Sequence, residues 1–217
     1  MGSLGGGNGS RRPRFLCLHG FRTSGEIMRK QVLGRWPAEV TARLDLIFAD
    51  APFPAEGKSD VEGIFDPPYL EWFQFDEACL LLGFTKYRNL EKCLAYIEDL
   101  MIKHGPFDGL MGFSQGGAEF RLSTVADKAY ANKINNPSLH FLGDNDFLKT
   151  RGEKLIESFV DPVIIRHPKG HTVPRLVGET SLEVMSRFLD KMEKEIYELS
   201  SIEAQVPADI DQNEMCI

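Results

Sequence analysis

The sequence predicts an α/β fold built on an open, largely parallel sheet with helices on both faces. Three observations carry that prediction. Short continuous apolar runs end in glycine or loop residues, segments of helical period lie between them, and one run ends in Gly112-Phe113-Ser114-Gln115-Gly116. A continuous apolar run bounded by turn signals suits a strand buried on both faces, and a parallel sheet covered by helices provides that environment. At 217 residues and 42% hydrophobic, the chain can bury one sizeable core. One domain is therefore expected over 13–199, between a Gly/Ser-rich, then basic, arm at 1–12 and an acidic tail at 200–217.

Taken in order, Arg14-Phe15-Leu16-Cys17-Leu18-His19-Gly20 is the first buried strand. Ser24 is placed to cap a helix carrying Ile27, Met28, Gln31 and Val32 towards Trp36-Pro37. Leu44 to Asp50 reads as a second strand, which makes a parallel βαβ unit with a right-handed crossover. The stretch 55–86 has no clear period and is rich in aromatic, proline and acidic residues; so long a loop in a compact domain is usually functional. It is expected to be a flap over the substrate site, with Phe65, Tyr69, Trp72 and Phe73 as its apolar wall, although an aromatic-rich loop packed on the core fits the same composition.

Leu90, Leu94, Ile97, Leu100 and Met101 recur at helical spacing, so a helix is expected from Asn89 to His104, stopped by Gly105-Pro106. Phe107 to Phe113 is the strand that delivers Ser114. Leu122, Val125, Ala126, Ala129 and Tyr130 suggest a modest helix, followed by a strand at Pro137 to Leu142, a helix at Lys149 to Phe159 and a strand at Val163 to His167. Leu182 to Met192 carry the last helix.

The formal charge of −7 and a pI near 5.3 argue against a general phosphate-backbone binder, so no nucleic-acid partner is expected. Cys17, Cys79, Cys93 and Cys216 show neither a CxxC pair nor close spacing and read as reduced thiols. No apolar run approaches the roughly 20 residues of a membrane span. The expected compartment is the cytoplasm, with the nucleus open as a second.

Gly-x-Ser-x-Gly after a strand is the signature of a strained strand-to-helix corner that presents a serine nucleophile. Ser114, then Asp146 past the next strand, then His171 past the last strand reproduce the chain order of an α/β-hydrolase triad. Each lies beyond the carboxyl end of its strand, where open α/β sheets place ligand sites. Asp144 and His167 are the competing assignments; Asp146 and His171 sit further past their strands, where a loop can turn a side chain towards the serine. Oxyanion donors are expected from the backbone N–H groups of Gln115 and Phe21. No His, Cys and carboxylate cluster has metal-ligand spacing, so no metal is expected.

Five stretches together carry a family resemblance. They are Leu16-Cys17-Leu18-His19-Gly20-Phe21-Arg22, Asp50-Ala51-Pro52-Phe53-Pro54, Pro67-Pro68-Tyr69-x-x-Trp72-Phe73, the Ser114 corner, and Gly170-His171-x-x-Pro174-Arg175. In these the chain resembles the FSH family of serine hydrolases, most closely its plant-type members. The resemblance implies a three-layer α/β-hydrolase that cleaves small-molecule carboxylic esters or thioesters without a cofactor. It also implies Ser114, Asp146 and His171 as the triad.

The chain departs from the family pattern after Gly116, where about thirty residues are missing from it; about thirty remain between Ser114 and Asp146, enough for one helix and one strand but not for two crossovers. About five strands remain, in the expected order 2-1-3-4-5. Either Leu139 to Leu142 pairs beside the serine's strand and moves all that follows by roughly 4.8 Å, or the sheet keeps a gap. Two function classes follow: an active ester or thioester hydrolase, or a shortened, catalytically impaired form with a binding role or no independent one. The distance from Ser114 to His171 separates them.

Overall fold

The computed structural model describes residues 11–75, 87–117 and 131–203. The Gly/Ser arm as far as residue 10, the far part of the expected flap, the helix expected around Leu122–Tyr130 and the acidic tail from residue 204 lie outside the described residues.

The centre of the fold is β1 (Arg14–Leu18), whose Leu16, Cys17 and Leu18 are buried, as a strand covered on both faces must be. The chain leaves β1 through α1 (Gly25–Leu33), where the Ser24 hydroxyl accepts the Ile27 N–H at 3.3 Å and so satisfies one of the donors a helix start leaves open. Ile27, Met28 and Val32 form its buried stripe. A short α2 (Ala38–Thr41) leads into β2 (Asp45–Ala49), parallel to β1 with Leu16 opposite Ile47. This is the expected βαβ unit.

Next come β3 (Phe53–Pro54), antiparallel to β4 (Leu70–Glu71), and β5 (Gln74–Phe75), antiparallel to β6 (Tyr87–Arg88). The helix α3 (Leu90–His104) then returns the chain to β7 (Gly109–Gly112), which pairs parallel with the other edge of β1. Beyond the serine corner the described chain resumes, with β8 (Leu139–Gly143), α4 (Lys149–Ile156), β9 (Val163–His167) and α5 (Glu179–Glu203).

The strand order 2-1-3 holds as β2-β1-β7, and β8 and β9 pair parallel. They do not form one sheet with the first three strands. Among the described residues, the strands of the expected five-stranded sheet form a three-stranded and a two-stranded parallel sheet, with no β7–β8 ladder. Among the described residues this matches the second of the two expectations, a sheet that keeps a gap.

The two half-sheets share one layer of core. Phe15 and Cys17 of β1, Ile165 of β9, Met28 and Val32 of α1, Trp36, Val40, and Met185, Leu189 and Met192 of α5 form a single buried cluster. The cluster on the opposite face holds Leu16, Leu18, Ala49, Trp72, Phe73, Leu90, Cys93 and Ile97, all from the first half. Apolar burial, which needs no register, thus spans the gap on one side.

Two aromatics expected in the wall of the site belong to that second cluster. Trp72 and Phe73 are 0% exposed, so they serve as core under β1 and α3 rather than facing solvent. Phe65 and Tyr69 are half-buried, and the Tyr69 hydroxyl donates to the Phe65 carbonyl at 2.6 Å. The basic arm is anchored at its end: Arg11 forms a two-pronged pair with Asp108 at 2.6 and 2.8 Å, and Arg14 lies on β1.

Candidate active site

The serine corner is tight for a readable reason. Phe113 N–H donates to the Leu18 carbonyl at 3.1 Å, which closes the end of β7 against β1, and Ser114–Gly116 then forms a single 3-10 turn. A Cβ on Gly112 would strike the Gly116 carbonyl, and one on Gly116 would strike the carbonyls of Leu18 and His19. Both outer positions of Gly-x-Ser-x-Gly therefore require glycine on grounds of space. Ser114 itself sits at φ 54, a conformation costing about 1–3 kcal/mol for a residue with a Cβ and held here by the turn around it.

Opposite the corner, His171 Nε2 lies 2.8 Å from Ser114 Oγ. Its Nδ1 lies 3.0 and 3.1 Å from the two Asp146 oxygens. Asp146 also accepts the Leu148 N–H at 2.7 Å, which fixes the carboxylate at the start of α4. The imidazole stacks on Phe113, with centroids 4.9 Å apart and planes at 25°, and Phe147 leans on it at 4.9 Å and 57°. Phe147 is 79% exposed, an apolar surface beside the histidine that sequence reasoning missed because a lone aromatic in a loop carries no periodic signal.

The competing residues stand outside the hydrogen-bond chain on Ser114. Asp144 faces Arg166 at 3.7 Å, and His167 is buried on β9, where desolvation pulls its pKa below the ordinary value. His167 Nδ1 has no partner among the described residues. Neither Cys17 nor Cys93 can rival Ser114 as nucleophile, since burial pushes both thiols up to about 12.

The backbone N–H groups of Phe21 and Gln115 have no acceptor among the described residues. The loop carrying Phe21 is held from several sides. His19 is fully buried, with Nδ1 2.8 Å from the Gly20 carbonyl and Nε2 accepting the Ala51 N–H at 3.0 Å, which assigns the proton to Nδ1. Burial lowers its pKa to about 4, so it is neutral and structural. Arg22 Nε donates to the buried Glu71 at 2.7 Å, and the Arg22 carbonyl accepts from Ser59 Oγ at 2.6 Å.

Gln115 has a second part that its place in the motif did not reveal. Its fully buried amide accepts the Trp72 N–H at 3.0 Å and donates to the Phe73 carbonyl at 2.7 Å. Trp72 Nε1 in turn donates to the His19 carbonyl at 2.8 Å. The serine corner, the β4–β5 stretch and the loop after β1 are thus one hydrogen-bonded unit. A half-buried serine hydroxyl with an imidazole and carboxylate in line, beside N–H donors that have no acceptor among the described residues, can activate a nucleophile and hold a developing oxyanion.

A family description, "Serine hydrolase (FSH1)", matches residues 9–124 and 118–181. The esterase FUS5 of Gibberella fujikuroi is 29% identical over 206 residues, covering 82% of this chain and 85% of that protein. The esterase OVCA2 of Xenopus tropicalis is 29% identical over 215 residues, covering 82% of this chain and 92% of that protein. Since 82% of 217 residues is about 178, some 37 of those 215 aligned positions have no residue here. The two stretches of the family match meet at 118–124, just past the serine corner. Among solved structures, SOBER1 of Arabidopsis thaliana aligns at a TM-score of 0.47 and 18% identity, over 83% of this chain and 99% of that one.

Proposed function

This chain belongs to the FSH1 serine hydrolase family, and we propose that it hydrolyses carboxylic esters, thioesters among them, through an acyl-enzyme on Ser114. The observation that carries this reading is the continuous Ser114–His171–Asp146 hydrogen-bond chain, with its 2.8 Å contact from Nε2 to Oγ. That distance lies inside the window of about 2.6 to 3.2 Å that a nucleophile and its base need, and it weighs against the impaired form.

In the first half-reaction Ser114 Oγ attacks the acyl carbonyl carbon while His171 Nε2 takes its proton. Asp146, bonded to Nδ1–H, holds the tautomer that leaves Nε2 free to accept and stabilises the imidazolium that forms. The carbonyl π pair moves onto oxygen, where the N–H groups of Phe21 and Gln115 receive it. Collapse breaks the bond to the alkoxide or thiolate, which leaves with the proton from Nε2. Water then attacks the acyl-enzyme with Nε2 again as base, and the acid departs as Ser114 recovers its proton.

Fluorophosphonate labelling tests the reading, because that probe phosphonylates only an activated serine. The expected result is one label, on Ser114, with hydrolysis of p-nitrophenyl esters and alkyl thioesters, both lost in Ser114→Ala. Equal labelling of the two proteins, or none of either, overturns it.

A further inference from the structure

Asp146 and His171 are built by one part of the fold and Ser114 by another. Asp146 follows β8 and His171 follows β9, and the two loops are tied to each other. Asp144 N–H donates to the His167 carbonyl at 2.9 Å, Asn145 N–H to Lys169 at 3.3 Å and Asn145 Nδ2 to Pro168 at 2.9 Å. Acid and base therefore move together with the β8–β9 half. Ser114 is fixed to β1 and β7. Among the described residues no ladder joins β7 to β8, so the distance from nucleophile to base is a distance between these two parts of the fold.

Among the described residues, three side chains carry hydrogen bonds from one body to the other. One is His171 itself. Arg43 reaches Ser186, Asp190 and Glu193 on α5. Arg35 donates through one guanidinium nitrogen to both Thr172 Oγ1 and the Val173 carbonyl, the two residues that follow His171.

Arg35 is itself well held. It follows the end of α1, its N–H donates to the Val32 carbonyl at 3.1 Å, and the next residue, Trp36, is 6% exposed in the shared core against Phe141. The packing of Trp36 on Phe141 is apolar and fixes no direction. The Arg35 guanidinium nitrogen, by contrast, donates along fixed N–H directions to two acceptors beside His171.

We propose that Arg35 is a positioning residue that sets the His171–Ser114 distance across the gap in the sheet, acting through Thr172 and Val173. The inference rests on the reading of Ser114 and His171 as nucleophile and base. A misplacement of about 1 Å takes Nε2 out of range of Oγ and can slow the chemical step about a hundredfold. Substrate binding near the serine corner is left alone.

The test compares Arg35→Ala, Arg35→Lys, Thr172→Val and Arg43→Ala in steady-state hydrolysis of p-nitrophenyl butyrate. Arg35→Ala is expected to lower kcat at least about tenfold with KM within about threefold, and millimolar guanidinium to restore part of it. Arg35→Lys and Thr172→Val, which each keep part of the tie, are expected to fall between. Arg43→Ala is expected to lower thermal stability while leaving kcat within about twofold, because its partners lie on α5 rather than on the histidine loop.

A kcat for Arg35→Ala within twofold of the unmodified protein overturns the proposal, as does an equal loss of kcat in Arg43→Ala. If Arg35→Ala does not fold, unchanged kcat in both Arg35→Lys and Thr172→Val overturns it. Absence of Ser114 labelling in the unmodified protein would refute the parent reading instead, and normal labelling with an unaffected Arg35→Ala would refute this one alone.

Discussion

Replacing Gln115 by alanine should cost stability out of proportion to rate. The amide is fully buried and satisfies two backbone groups, the Trp72 N–H at 3.0 Å and the Phe73 carbonyl at 2.7 Å. Truncation leaves the Trp72 N–H buried without its partner and takes one bond from the Phe73 carbonyl; an orphaned buried group costs about 1–3 kcal/mol, so the loss is about that much before any cavity is counted. Against a total stability of about 5–15 kcal/mol, that is a large fraction. The backbone N–H of residue 115 survives the change, so the protein that remains folded should still label with fluorophosphonate. Gln115→Glu is a sharper probe: a carboxylate can still accept from Trp72 but cannot donate to Phe73, and it buries a charge. Urea denaturation of the three proteins gives the comparison. A loss under about 1 kcal/mol in Gln115→Ala would refute the reasoning that this amide ties the serine corner to the β4–β5 stretch.

Two further outcomes follow from the site. Asp146→Asn should lower kcat by about a thousandfold or more, by presenting the wrong imidazole tautomer to Ser114, while Asp144→Asn and His167→Asn stay within a few-fold in the same ester assay. Stability should fall with acidification through His19: its folded pKa, lowered to about 4 by burial, lies below the unfolded value near 6.5, so the contribution is whole above pH 6.5 and is lost as pH drops towards 4. The loss amounts to about 3 kcal/mol at most, His140 and His167 add to it in the same direction, and a urea midpoint that is flat or rising from pH 6.5 to 5 would contradict it.

Much of this was legible because it was local. Arg14–Leu18, Asp45–Ala49 and Val163–His167 are strands where continuous apolar runs stood, and Ser24 caps α1 as its hydroxyl and position required. Ser114, Asp146 and His171 could be named because each follows a strand end in a fixed chain order. What resisted was lateral. A run of apolar residues says that a strand is buried, not which strand lies beside it, so the parting of β7 from β8 could be framed only as one of two outcomes. Trp72 and Phe73 were expected to face the substrate because aromatic content does not distinguish a wall from a core. The partners of Arg35 lie 137 and 138 residues away, a separation at which composition and period carry no signal.

The parting of the sheet has a consequence for how the molecule should come apart. A sheet ladder resists shear directionally, whereas among the described residues the layer joining these two halves is apolar side chains plus the hydrogen bonds of Arg35, Arg43 and His171. Apolar burial tolerates sliding far better than a hydrogen bond does. The geometry at Ser114 should therefore fail before either half unfolds. Urea should abolish fluorophosphonate labelling at a lower concentration than it exposes Trp72, which lies wholly in the cluster of the first half. Trp36, in the shared cluster, should track labelling instead. With one tryptophan replaced by phenylalanine in turn, the fluorescence of the other reports each region separately. Coincident curves for labelling, Trp36 and Trp72 would mean that the two halves unfold as one body and that the layer between them is as rigid as the ladder it replaces.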